Sequence, residues 1–186
     1  NGLTANTVLQ GVWALLLSRY SGRRDVCFGA TVSGRPADLP GADAITGIFI
    51  NTQPVRVRID DAAGVADWLR QLQSAQAESR RYDYASLTDV QAWSELPGGA
   101  KLFDSIVVFE NYPVNDEAAA VHGLRLRDLD AVETTNYPLT LTATPGDRLT
   151  IHLGYDPALF DPASVARGAA HLEMLRAAIA AAPDGR

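Results

Sequence analysis

The spacing of apolar residues along the chain predicts both helices and strands. Helical spacing recurs in four segments, at residues 7–21, 63–80, 87–93 and 161–182. Alternation of apolar and polar residues, or a short apolar run, indicates strands at residues 25–32, 48–60, 105–109, 124–128, 139–143 and 149–153. Helices interspersed with strands of both kinds are typical of an α/β fold, in which helices pack on a mixed β-sheet.

Several local signals set the predicted boundaries. Thr7 opens a capping box for the first helix, although Thr4 is an alternative cap, and Gly22 ends that helix. Asp161 and the proline that follows it are typical of the cap and first turn of a helix. The three tryptophans are expected to pack helices against the sheet, and the last helix is expected to bury one stripe of residues: Val165, Ala169, Leu172, Leu175 and Ile179.

Composition narrows the class of protein. The chain has 186 residues, of which 47% are hydrophobic, so it can form one domain or one lobe of a larger domain. The net charge of −6 argues against sequence-independent nucleic-acid binding. The single cysteine, Cys27, excludes an internal disulfide, and no apolar run is long enough for a membrane span. We expect a cytoplasmic protein, and we expect it to be a piece of a longer polypeptide, with residues 183–186 beginning a linker.

Catalytic signals are few. The three histidines lie far apart in the sequence, and the familiar metalloprotease, zinc, serine-hydrolase and nucleotide-binding motifs do not occur. The sequence therefore predicts no metal site and no catalytic residue in this chain. Polar residues at two other places can be structural or functional: Ser33-Gly34-Arg35 directly follows a strand, and Asn51 interrupts an apolar stretch.

Six segments, in this order, resemble condensation domains of nonribosomal peptide synthetases. They are Thr4–Gly22 (TANTVLQGVWALLLSRYSG), Val26–Pro36 (VCFGATVSGRP), Gly47–Arg56 (GIFINTQPVR), Leu87–Leu96 (LTDVQAWSEL), Leu102–Val114 (LFDSIVVFENYPV) and Thr135–Leu141 (TNYPLTL). The Phe-Glu-Asn-Tyr-Pro sequence at 109–113 favours condensation over the related epimerisation domains. The resemblance covers essentially the whole chain.

This resemblance implies a fold like that of chloramphenicol acetyltransferase, with two similar lobes and a tunnel between them. It implies amide formation between a donor thioester and the amine of an acceptor thioester. Peptidyl carrier proteins would deliver both on phosphopantetheine arms, and no other cofactor is expected. The family's HHxxxDG histidine motif lies in the first lobe and is absent from this sequence. Residues 1–182 are therefore expected to be the C-terminal lobe, inactive alone, with the N-terminal lobe, carrier proteins and an adenylation domain as partners.

The resemblance also favours a set of substrate-binding residues in this lobe: Ser33, Gly34, Arg35, Asn51 and Asn136. Each keeps a structural alternative. The segment at 33–35 can be a tight turn, Asn51 can satisfy a neighbouring backbone, and Asn136 can hold the turn before the hairpin. Two alternatives to a catalytic lobe stay open: a catalytically dead condensation-like domain that recruits a partner enzyme, and a free-standing acyltransferase of the same fold.

Overall fold

The computed structural model describes residues 2–35, 39–110 and 135–181. These residues form a five-stranded sheet with the order β2-β1-β3-β4-β5. Its strands are β1 Asp25–Val32, β2 Asn51–Arg58, β3 Ser105–Phe109, β4 Leu139–Thr144 and β5 Thr150–Tyr155. The β1–β2 and β4–β5 pairs are antiparallel, whereas β1–β3 and β3–β4 are parallel. The prediction of a mixed sheet is confirmed.

Four α-helices accompany the sheet in the described part of the chain. They are α1 Ala5–Ser21, α2 Val65–Ser79, α3 Leu87–Trp93 and α4 Pro162–Ala181. Thr4, not Thr7, caps α1, because its hydroxyl accepts the backbone N–H of Thr7 at 3.1 Å. Gly22 adopts a left-handed conformation, with φ of 70°, and ends the helix where the sequence predicts. Asp161 accepts the backbone N–H of Ser164 at 2.9 Å, which confirms it as the cap of α4.

One face of the sheet carries the core. Phe28, Leu141 and Val107 point toward the helices and bury their side chains almost completely. Trp13 of α1 is fully buried among them, and its indole N–H donates to the hydroxyl of Ser105 at 3.3 Å. The resulting α1–sheet packing fixes the carboxyl end of β1, from which the segment at 33–35 emerges.

The opposite face of the sheet is more polar. Alternation places the threonines of β4 on this face, and Thr142 lies beside His152 of β5 in the strand register. His152 is exposed, which confirms that it faces away from the core.

Three local predictions were wrong or need correction. Trp93 is 74% exposed at the end of α3, so it does not pack a helix on the sheet as Trp13 and Trp68 do. Ala169 is exposed, and the neighbouring Gly168 is buried instead, because the buried stripe of α4 is rotated by one residue at this turn. The extended segment predicted at 48–60 forms a strand only from Asn51 onward. The predicted strand at 124–128 lies outside the described residues.

Candidate functional site

The predicted site residues leave the sheet at two opposite edges. Val32 pairs with Asn51, so the end of β1 and the start of β2 meet at one edge, where the segment at 33–35 also begins. Asn136 precedes β4, which runs parallel to β3 and, through β3, to β1. Asn136 therefore lies at the other edge, about 20 Å away for a six-residue strand.

The segment at 33–35 is clamped against the loop that follows it. Gly34 has φ of +62°, and a Cβ atom built there would lie 1.8 Å from the backbone oxygen of Phe49. The Arg35 guanidinium donates to the backbone oxygens of Ala42 and Ile45 and lies over the Phe49 ring, 4.3 Å from its centroid. Arg35 thus braces this loop, while Ser33 is exposed. The structure supports the predicted bracing role of Arg35.

Asn51 and Gln53 form a second clamp, hereafter the amide clamp. Asn51 Nδ2 donates to the backbone oxygens of Asp83 at 2.9 Å and Ala85 at 2.7 Å. Gln53 Nε2 donates to the same Ala85 oxygen at 2.8 Å, and more weakly to those of Tyr82 and Asp83 at 3.3 Å. Both amide hydrogens of Asn51 are therefore used inside the protein, as in the structural alternative for this residue.

Sequence reasoning missed Gln53 and Asp83. Gln53 is 5% exposed, and strand alternation places it on the same face as Asn51, so a buried glutamine two residues from a part-buried asparagine was the available signal. Asp83 follows α2 and the short 3₁₀ turn Arg80–Tyr82, where the pattern gives no indication of burial.

The two clamps bound a cavity of about 980 Å³ at this edge of the sheet. Its wall includes Ser33 and Arg35 from the end of β1, Gln53 from β2, and Asp83 and Tyr84 from the clamped segment. Asn6, Gln10 and Gln76 contribute further amide groups from α1 and α2. Polar groups from several elements thus converge on a space large enough for an extended small molecule.

Asn136 lines a different cavity, of about 960 Å³, on the polar face of the sheet. Its neighbours there include three threonines of β4, His152 and Glu110. Thr144 donates to the Glu110 carboxylate at 3.0 Å, and the hydroxyls of Thr135 and Thr140 share a hydrogen bond of 2.7 Å. The structure therefore does not bring Asn136 together with Ser33 and Asn51.

Burial changes the acid–base properties of two groups near the first cavity. Burial raises the pKa of the Asp83 carboxyl, and the nearby Arg80 cation partly opposes this change. Burial raises the pKa of the Cys27 thiol to about 11, so this thiol is protonated at neutral pH. At the far end of β1, hydrogen bonding and charge from Arg56 lower the pKa of the exposed Asp25 carboxyl.

The described residues contain no cluster of histidine, cysteine and carboxylate side chains that could hold a metal ion. Within the same residues, no helix is both long and apolar enough to cross a membrane.

Solved structures define the class of fold. A chain described as the crystal structure of holo T3CT matches all of this chain with a TM-score of 0.84 at 22% identity, and the match covers 44% of that chain. The first condensation domain of a calcium-dependent antibiotic synthetase, solved with a substrate analogue, matches 96% of this chain with a TM-score of 0.71 at 17% identity, over 39% of its own length. The described residues thus have the fold of a chloramphenicol acetyltransferase-like lobe.

Sequence comparison gives the family. The Condensation domain family matches residues 1–186, and this chain belongs to that family. One of the linear gramicidin synthase proteins of Brevibacillus parabrevis is 46% identical over 99% of this chain, and surfactin synthase subunit 3 of Bacillus subtilis is 40% identical over 88% of it. The chain spans only 2% and 13%, respectively, of the length of these two synthases. Condensation domains of such synthetases form amide bonds and work with carrier-bound phosphopantetheine.

Proposed function

We propose that this chain is the C-terminal lobe of a condensation domain that joins a donor thioester to the amine of an acceptor thioester. The observation that carries the proposal is the cavity at the edge where β1 ends, with Ser33 exposed on its wall and Arg35 and Asn51 bracing that wall. The match over less than half of the solved chains supports the assignment to one lobe. The lobe boundary at residue 182 stays a prediction, because residues 182–186 lie outside the described part.

The lobe would contribute shape and polarity rather than proton transfer. An aminoacyl thioester is already activated, so the reaction mainly needs its two substrates held in register and the developing charge stabilised. A phosphopantetheine arm carries two amide groups, and the amide side chains of Asn6, Gln10 and Gln76 along the cavity are suitable partners for them. The histidine of the first lobe would handle the proton of the amine. Carrier proteins and an adjacent adenylation domain are the partners that this role requires.

We expect no amide product from this chain alone. Mixing it with donor-loaded and acceptor-loaded carrier proteins should give only the uncatalysed background by mass spectrometry, because its sequence lacks the histidine motif. Adding a matching first lobe with an intact HHxxxDG motif should restore product. Turnover by the chain alone would contradict the proposal, and stable association of the two lobes without product would favour the recruiting alternative.

A further inference from the structure

Asp83 is held in place by its own backbone. Its carbonyl oxygen accepts from both members of the amide clamp, at 2.9 Å from Asn51 and 3.3 Å from Gln53. The next anchored carbonyl, that of the buried Ala85, accepts from the same two side chains. Fixing the backbone on both sides of Tyr84 leaves the Asp83 carboxylate free of this bonding, with its side chain half-buried on the cavity wall.

Most of the positive charge near this carboxylate is already committed. Four arginines line the cavity, namely Arg35, Arg56, Arg80 and Arg81. Arg35 donates to backbone oxygens, Arg56 binds Asp25 at 2.9 and 2.7 Å, and Arg81 binds Glu78 at 3.3 Å. Arg80 is the cation whose charge acts on Asp83. Among the described residues of the cavity wall, Asp83 is the one carboxylate.

We propose that the Asp83 carboxylate binds the amine of the acceptor substrate, with Asn51 and Gln53 as positioning residues. This inference rests on the proposed function, which requires a primary amine to enter the lobe. Such an amine is largely an ammonium ion at neutral pH, and an anionic acceptor in a partly buried site binds it more strongly than a neutral one. The doubly anchored backbone would hold the carboxylate in one geometry, which is what orientation of a nucleophile demands.

The acid–base behaviour of Asp83 is compatible with this role. Burial penalises the ionised carboxyl, so a cationic ligand beside it recovers part of that cost and returns the group toward its charged form. Arg80, Arg81 and Arg35 face the same cavity and would compete with an ammonium ion, so the attraction depends on Asp83 keeping its charge.

The test compares two small thioesters on the whole 186-residue chain by NMR titration. The probes are the alanyl and propionyl thioesters of N-acetylcysteamine, which differ only in the amine. We expect the alanyl probe to bind the wild-type chain about tenfold more tightly, as for one charge-assisted hydrogen bond. Asp83→Asn keeps the shape and the clamped backbone but should reduce this ratio to about one, with propionyl binding unchanged. Asp147→Asn removes the same charge from the exposed β4–β5 turn and should leave the ratio intact.

Each result separates the two proposals. Equal binding of both probes by the wild-type chain, or an unchanged ratio in Asp83→Asn, would overturn the role of Asp83 and leave the proposed function standing. If neither probe perturbed the resonances of cavity residues, both the role of Asp83 and the assignment of this cavity to the acceptor would fail.

Discussion

Replacing Gly34 by alanine should lower amide formation by a full condensation domain carrying this sequence by about 100-fold, the loss typical of a displacement of about 1 Å in a site. Alanine would have to adopt φ of +62°, and its Cβ would meet the Phe49 backbone oxygen at 1.8 Å. A backbone oxygen cannot rotate away as a flexible side chain does, so the loop braced by Arg35 must move. That movement would displace Ser33 and the cavity wall together.

Gly41→Ala is the matched control for this variant. Gly41 belongs to the same loop and has a similar φ of +76°, but a Cβ there would meet no atom within 4 Å. Both variants bear the cost of a left-handed alanine, roughly 1 kcal/mol, whereas only Gly34→Ala bears the clash. Single-turnover rates should therefore fall in Gly34→Ala and stay within a few-fold of the wild type in Gly41→Ala. Equal rates in the two variants would show that the clamp does not hold the working site.

Removing the amide clamp should weaken both stability and catalysis. Asn51→Ala leaves two backbone oxygens short of a donor and should lower the free energy of unfolding by about 1–3 kcal/mol. Gln53→Ala should have a similar effect, and the double variant should cost more than the sum, because in each single variant the remaining amide still donates to the shared oxygens. Gln71→Ala, on the exposed face of α2, should change stability by less than about 0.5 kcal/mol.

The activity of Asn51→Ala distinguishes a positioning role from a structural one. If the clamp positions Asp83, single-turnover amide formation should fall in molecules that are still folded at the assay temperature. Normal turnover with a lowered melting temperature would make Asn51 purely structural. Thermal melting and turnover should be measured on the same preparation, so that unfolded protein is not counted as inactive protein.

The fold was predictable where the signal is local. The bounds of β1 follow from alternation alone, and those of α3 from a short helical pattern between a serine cap and a proline-glycine turn. Trp93 shows the limit, because its exposure depends on what the fold places above α3 and not on the residues around it. The predicted family and the mixed sheet are confirmed, whereas the substrate-binding residues stay predictions.

The geometry of the candidate site depends on contacts that the sequence does not encode locally. Asn51 reaches carbonyls 32 and 34 residues away, so its polarity signals a partner without identifying it. The clash that makes Gly34 necessary comes from Phe49, across a loop whose path no pattern specifies. The separation of Asn136 from Ser33 follows from the parallel β1–β3–β4 arrangement, which became visible only with the strand order.

The central claim is that the cavity beside Ser33 receives the arm of a carrier protein, and a crosslinking rate tests it most directly. Ser33→Cys would place a thiol on the exposed cavity wall, whereas Ser74→Cys would place one on the exposed face of α2, outside that wall. The native Cys27, with its pKa raised to about 11, should contribute little background at neutral pH. With a carrier protein bearing a bromoacetylated phosphopantetheine arm, Ser33→Cys should crosslink at least about tenfold faster than Ser74→Cys, because docking raises the effective concentration of the arm. Equal rates at the two positions, or faster reaction at Ser74→Cys, would contradict the assignment of this cavity.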